Sequence, residues 1–356
     1  MIRRGTALWA LFVVVSSLVA AEAIGRLALE DPIADPHLVG MVDPSSDSRR
    51  MTPSKSYTST AGVRIHINEF GFRTPTADAR IPAPSDARIR IAVLGDSETF
   101  CEALPYDHCL PGQLEKSLRA RYPTADFEVL SFGIPGTNTR DHLRWLREIV
   151  LPLQPDVVLL NYVLNDIELF DRTTIIDLRH WYDRSFLVRY VRYQRFLTHT
   201  AELRREKARV YRRWVETRSH AIWSDYFASL YGDPELWNAM RATLRSLRDE
   251  SEAAGAAFIM TALAALAEVS DFRFDYYPYR ESLAKLRTLG DDGIRFVDML
   301  PAYVEADRPA LDYAVTLADL HHNERGNRLL VDYLIERPEF RGLIEPLVAA
   351  PSGAGS

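Results

Sequence analysis

Short apolar runs alternate along this chain with amphipathic stretches. Ile89–Leu94, Phe127–Ser131, Val157–Tyr162, Ala257–Ala262 and Arg295–Met299 are rich in β-branched and apolar residues and of strand length. Between and after them, helices are predicted over Leu110–Ala120, Asp141–Val150 and Pro234–Ala254, with a last one from Glu324 to Ile335. Strands that alternate with helices imply a parallel sheet covered by helices on both faces, an α/β fold of three α/β/α layers.

Four regions depart from this alternation. Arg3-Arg4 precede the uncharged apolar run Ala7–Ala21, the pattern of a signal peptide or a signal anchor over residues 1–26. Ala21-Glu22-Ala23 suits cleavage, whereas resumption of the apolar run at Ile24-Gly25 suits an uncleaved span; we favour the anchor. Either way the arginines stay in the cytoplasm and the rest is exported to the periplasm or cell exterior. Residues 27–87 read as an irregular lead-in in which Val63, Ile65 and Ile67 alternate with polar residues like one short strand. Residues 171–231 form an insert within the main domain, 88–345. In it Arg189, Arg192, Arg195, Arg204, Arg205, Arg209, Arg212 and Arg213 interleave with Phe186, Tyr190, Tyr193, Phe196 and Tyr211. A solvated helical face with inward aromatics is the simpler reading. The other is a lid or docking surface with its arginines exposed on one face. Residues 346–356 read as a flexible tail.

Composition narrows the classes. With 356 residues, 47% hydrophobic and 26% charged, the chain can bury a full core. A formal net charge of −6 argues against a nucleic-acid partner. No phosphate-binding loop, dinucleotide fingerprint or zinc spacing is present, so no cofactor or metal is expected. Cys101 and Cys109 are the two cysteines, flanking a short loop. In an oxidising compartment they would pair; the alternative is two reduced thiols.

The candidate chemistry lies at the ends of the expected strands. Gly95-Asp96-Ser97 follows the first, putting a serine at the carboxyl end of a strand, where α/β sheets bind ligands. Phe132-Gly-Ile-Pro-Gly136 follows the second, Asn165-Asp166 follows the third, and Asp319-Leu-His-His-Asn323 precedes the last helix. In this order the four segments resemble the sequence blocks of the SGNH (GDSL-type) hydrolases, and the resemblance covers about Arg88 to Leu334. It implies a flavodoxin-like sheet and a serine esterase. It also implies Ser97 as nucleophile, His321 as base and Asp319 as its orienter. The implied oxyanion donors are the Ser97 N–H, the Gly136 N–H and the Asn165 amide. The residue types suit those roles: a hydroxyl, an imidazole held by a carboxylate, bare glycine backbone and an uncharged amide donor.

The chain departs from the family's pattern twice. Val163 stands where a glycine is common before Asn165. Asp319 is two residues from His321 and three from His322, so the usual Asp–His spacing favours His322 while the His-x-Asn half, with Asn323 as helix N-cap, favours His321; we weight the latter. On the same grounds His322 would be an exposed loop residue and Glu98 a solvated first-turn glutamate. Asp96 and Asp166 read as structural turn and cap residues. Gly133 is the alternative to Gly136.

The leading functional expectation is an exported serine esterase acting on an acylated small molecule or glycan, above all a carbohydrate O-acetyl group. An O-acyltransferase would use the same acyl-enzyme. A non-catalytic glycan-binding protein with a remnant site is the third reading.

Overall fold

The computed structural model describes residues 4–29, 50–59, 61–85, 87–168, 181–195, 198, 222–266, 271–317 and 319–350. The chain divides into two compact units: Met1–Asp47 with Thr173–Arg209, and Ser48–Arg172 with Val210–Ser356.

In the smaller unit, helix α1 spans Arg4–Ala28. Its stretch Trp9–Ala28 is long and apolar enough to cross a membrane, and its apolar side chains are largely exposed. The described part of the insert in this unit is a 3-10 turn, Trp181–Arg184, followed by helix at 186–195. Arg189 is buried there, with its guanidinium over the Phe186 ring, so the insert's arginines do not all lie on one exposed face. Arg204, Arg205, Arg209, Arg212, Arg213, Phe196 and Tyr211 lie outside the described residues.

The larger unit opens with a three-stranded antiparallel sheet, β1 (Ser56–Thr58), β2 (Arg64–Ile67) and β3 (Arg73–Thr74). The lead-in is therefore more ordered than an irregular segment with one strand. Ile65 and Ile67 are buried as their alternation predicts. Asn68 closes the next turn, its side-chain oxygen accepting the Phe70 and Phe72 N–H groups at 3.0 Å each. Phe72 then packs edge-on against Phe132 and Trp145 of the main core. Local turn chemistry thus delivers an aromatic plug, which explains why the lead-in folds onto its neighbour.

The main sheet has five parallel strands in the order β5-β4-β6-β7-β8. They are β4 (Arg88–Gly95), β5 (Asp126–Gly133), β6 (Val157–Tyr162), β7 (Ala257–Ala262) and β8 (Phe296–Asp298). Every residue of β6 is buried, as a strand covered on both faces requires. Helices Leu110–Arg121, Thr139–Trp145, Pro234–Ala253 and Glu324–Glu336 flank the sheet. The expected helix to Val150 changes to a π turn over Leu146–Val150. Glu324–Glu336 is not the last helix; Pro338–Ala349 follows, so regular structure runs into the stretch expected to be tail.

The strand order places the site. Chain connections run from β4 out to β5 and then back past β4 to β6. Loops after these neighbouring strands diverge and leave a crevice at their carboxyl ends. The segments after β4, β5 and β6 carry Ser97, Gly136 and Asn165.

Candidate active site

Ser97 owes its position to a tight strand-to-helix turn. A Cβ on Gly95 would fall 2.1 Å from Thr99 Oγ1, so only glycine lets the chain turn this sharply. Asp96 caps the four-residue helix Ser97–Phe100, its Oδ1 accepting the Glu98 N–H at 2.9 Å. Its Oδ2 accepts from the Asn165 amide nitrogen at 3.2 Å and lies 3.3 Å from Ser97 Oγ. Asp96 is buried, and that burial pushes its carboxyl above the usual range despite the Glu98 and Asn165 donors. The helix ends at once, because Cys101 adopts a left-handed conformation with φ 57°.

The opposite wall is the loop before helix Glu324–Glu336. His321 Nε2 lies 2.8 Å from Ser97 Oγ, and its Nδ1 lies 2.5 Å from Asp319 Oδ1. One tautomer satisfies both contacts: Nδ1–H donates to Asp319 and Nε2 accepts from the serine. Burial opposes charge on His321, but Glu98, the Asp319 hydrogen bond and Asp96 outweigh it and raise the imidazole above its ordinary value. Asn323 braces the loop. Its side-chain oxygen accepts the Gly326 N–H at 3.0 Å, capping the helix as its type predicts. Its amide nitrogen donates to the Asp312 and Ala314 carbonyls at 3.0 and 2.8 Å.

Two sequence expectations are overturned here. Glu98 is not a solvated glutamate: its side chain is 14% exposed and its Oε2 accepts from the His322 N–H at 3.1 Å and from its Nδ1 at 3.0 Å. His322 is not an exposed loop residue but is 2% exposed, tilted against the Tyr303 ring. A glutamate one step past the nucleophile thus ties the serine turn to the histidine loop. Despite its burial, the Glu98 carboxyl is held below its usual range by His322. The sequence hint was the unusual His-His pair, whose second ring needed a partner.

The expected oxyanion donors occupy the crevice loops. Gly136 is half-buried with φ 75°, a conformation that favours glycine. Gly133 is the last residue of β5, and a Cβ there would meet Phe100 N at 2.5 Å, so its role is close packing. Asp166 is buried and its Oδ2 accepts the Val163 N–H at 3.0 Å.

The cleft wall between these loops joins an expected bond to a feature that sequence reading missed. Cys101 and Cys109 are bonded to each other. Arg73, from β3, reaches into the loop they close. Its guanidinium donates to the carbonyls of Phe100 at 2.8 Å, Leu104 at 2.6 Å and also Cys101, and lies 3.4 Å from Cys109 Sγ. Burial lowers its pKa to about 10. The cleft beside Ser97 holds about 470 Å³, solvent at its mouth included. Ala103, Leu104, Pro135 and Val315 line it with the carboxylate residues Glu98, Glu102 and Asp319. Among the described residues no group of His, Cys, Asp and Glu is arranged to hold a metal ion.

A serine at a switch point, against an imidazole backed by a carboxylate, is an arrangement for acyl transfer. Residues 93–329 match the GDSL-like lipase/acylhydrolase family, and the chain belongs to that family. It is a serine esterase of the GDSL type. No curated protein matches the sequence. Among solved structures, the chain is similar to an acetylxylan esterase from Geobacillus stearothermophilus, with 16% identity over 78% of this chain and 99% of that one and a TM-score of 0.40. A G-D-S-L lipolytic protein from Desulfitobacterium hafniense has 10% identity over 68% and 96%, with a TM-score of 0.39. A two-domain esterase active on acetylated mannans has 14% identity over 76% and 52%, with a TM-score of 0.40.

Proposed function

We propose that this protein is an anchored, exported esterase that removes short acyl groups, above all O-acetyl groups, from a carbohydrate. The observation that carries the chemistry is the relay from Ser97 Oγ through His321 to Asp319. Ser97 attacks the ester carbonyl while its proton passes to His321 Nε2. Asp319 keeps the Nδ1–H oriented and stabilises the imidazolium. The Ser97 N–H, the Gly136 N–H and the Asn165 amide stabilise the oxyanion. His321 then protonates the departing alkoxide, and the alcohol leaves an acyl-serine. Water, deprotonated by His321, attacks that ester; collapse releases the acid and returns the proton to Ser97.

The cleft supports a short acyl group. Its wall at Cys101–Leu104 is stapled by the disulfide and by Arg73, so the space for the acyl chain has little room to grow. Glu102 and Asp319 place carboxylates on its wall, which suit hydroxyl donors and disfavour anionic substrates. Three features support export with a retained anchor: the Arg3-Arg4 flank, the apolar span Trp9–Ala28 and the disulfide. A fourth is that Glu22 is built into contacts with residues 185–187, which cleavage after Ala23 would remove.

The test is turnover by the full chain of p-nitrophenyl acetate, butyrate and octanoate, and acetate release from acetylated glycans. We expect kcat/KM to fall with chain length and acetate to appear from the glycan. A preference for octanoate would make the protein a long-chain lipase instead. Acetate transferred to an added sugar rather than released would make it an acyltransferase.

A further inference from the structure

Glu22 and Arg26 are the charged residues of the apolar run Trp9–Ala28, and both act on a second segment of the same unit. Glu22 Oε1 accepts the Phe186 N–H at 2.7 Å, and its Oε2 accepts the Leu187 N–H at 3.0 Å and the Ser185 hydroxyl at 2.8 Å. Arg26 donates to the Arg184 carbonyl at 2.7 Å and to Glu22 itself at 2.8 Å. The carboxylate therefore caps the helix at 186–195, taking N–H groups that have no partner within that helix. Gly25 completes the joint. A Cβ there would come within 2.7 Å of the Phe186 ring. Carboxylate, guanidinium and glycine gap fit one segment, so the joint is built rather than incidental.

The joint fixes the depth of that segment relative to the anchor. At 1.5 Å per residue, Glu22 to Arg26 lie roughly 20–25 Å along the helix from Trp9, close to the far boundary of a ~30 Å hydrocarbon core. The inner face of the segment is packed: Phe186 is buried, stacked on Tyr190 with centroids 5.8 Å apart. The outer face is apolar between cations. Val188 and Val191 are 37% and 55% exposed, and Trp181 is 80% exposed. Arg195, exposed and four residues past Val191, shares that helix face, and Arg184, also exposed, ends the turn that leads into the helix. An exposed indole and two exposed valines close to guanidiniums in the chain suit the boundary where acyl chains meet phosphates.

We propose that residues 181–195 are a membrane-surface element, carried on the outer end of the anchor by Glu22. Trp181, Val188 and Val191 press into the headgroup region, and Arg184 and Arg195 lie on lipid phosphates. This rests on the anchor reading above.

Nitroxide labels test it, because the native cysteines are bonded and only an introduced one reacts. Full-length protein is placed in nanodiscs of phosphatidylcholine and phosphatidylglycerol. Single labels go at Val188, Val191, Val15 in the span, and Tyr276, an exposed residue of the larger unit. Accessibility to oxygen and to a water-soluble nickel chelate is then compared. We expect labels at 188 and 191 to favour oxygen, as at 15, and the label at 276 to favour nickel. Glu22→Ala should lose the oxygen preference at 188 and 191 while leaving 15 and p-nitrophenyl acetate turnover unchanged. Nickel access at 188 and 191 with 15 in lipid overturns the inference and leaves the anchor standing. Nickel access at 15 overturns both. Exclusion of both reagents at 188 and 191 means a protein covers the face, and retention in lipid after Glu22→Ala removes the joint's role; either result overturns the inference.

Discussion

Ser97 and His321 face each other at 2.8 Å, yet the halves of the site that carry them are held by different means. The serine half is an extension of the core. It leaves a strand whose last six residues are buried, turns where Gly95 alone fits, and is roofed by a disulfide and a buried guanidinium. Among the described residues the histidine half has no strand leading into it. It is a loop between the 3-10 turn Ala310–Tyr313 and helix Glu324–Glu336, fixed by the side chains of Asn323, Asp319 and the Glu98–His322 pair. Hydrophobic packing sets the first half and a few polar contacts set the second. Chemistry and stability should accordingly separate in different ways on the two sides.

The largest effect is expected on the serine half. Ser97→Ala should abolish ester turnover with little change in the thermal midpoint, since the half-buried hydroxyl makes one 2.8 Å bond to His321 and a 3.3 Å approach to Asp96. Turnover surviving in the purified variant would sink the assignment of the nucleophile. The histidine half should split into two phenotypes. His321→Ala should lower kcat by about 10²–10⁴, the usual range for a lost general base, and leave stability nearly intact. His322→Ala should do the reverse. It strands the Glu98 carboxylate and costs on the order of 1–3 kcal/mol, with a smaller effect on kcat. Equal kinetic damage from both, measured with melting curves alongside, would mean that the loop moves as one piece.

Asn165→Ala should lower kcat by roughly 10²–10³ with KM little changed, the pattern of a donor used in the transition state. An effect on KM alone would make Asn165 a ground-state contact. The smallest expected effect is a shift in pH dependence. The base works when neutral, so activity rises as pH passes through the His321 pKa, which Glu98 helps to raise. Glu98→Gln should therefore move the acid limb of kcat/KM to lower pH. A limb that stays in place would mean that Glu98 acts only as a brace.

The serine half was also the more legible in sequence. Apolar runs ending in Gly-Asp-Ser, Gly-Ile-Pro-Gly and Asn-Asp marked β4, β5 and β6 to within a residue or two, because a doubly covered strand reads as an unbroken apolar stretch. The strands named the layers, and the order of the segments named the family. Short-range rules served equally well at Asn323, whose capping role depends only on its next neighbours. What was missed depends on distant partners. Nothing local distinguishes Glu98 from a solvated first-turn acid until His322 arrives 224 residues later. Arg73 reads as one more surface arginine until the loop at 100–109 folds over it. Of the lead-in strands β2 showed itself by alternation; β1 and β3, three and two residues long, were too short to do so.

Arg73 also bears on where this enzyme begins. The family match starts at residue 93; a fragment cut there would keep the residues aligned for chemistry but lose residues 88–92 of β4. It would lack the cation that gathers the carbonyls of Phe100, Cys101 and Leu104 over the cleft. Those acceptors would turn to water, and the roof would be left to one covalent staple. For expression, crystallisation or transplanting the activity into another protein, the smallest faithful piece starts before β1, some forty residues upstream of the homology boundary, as Ser48 at the head of the larger unit indicates.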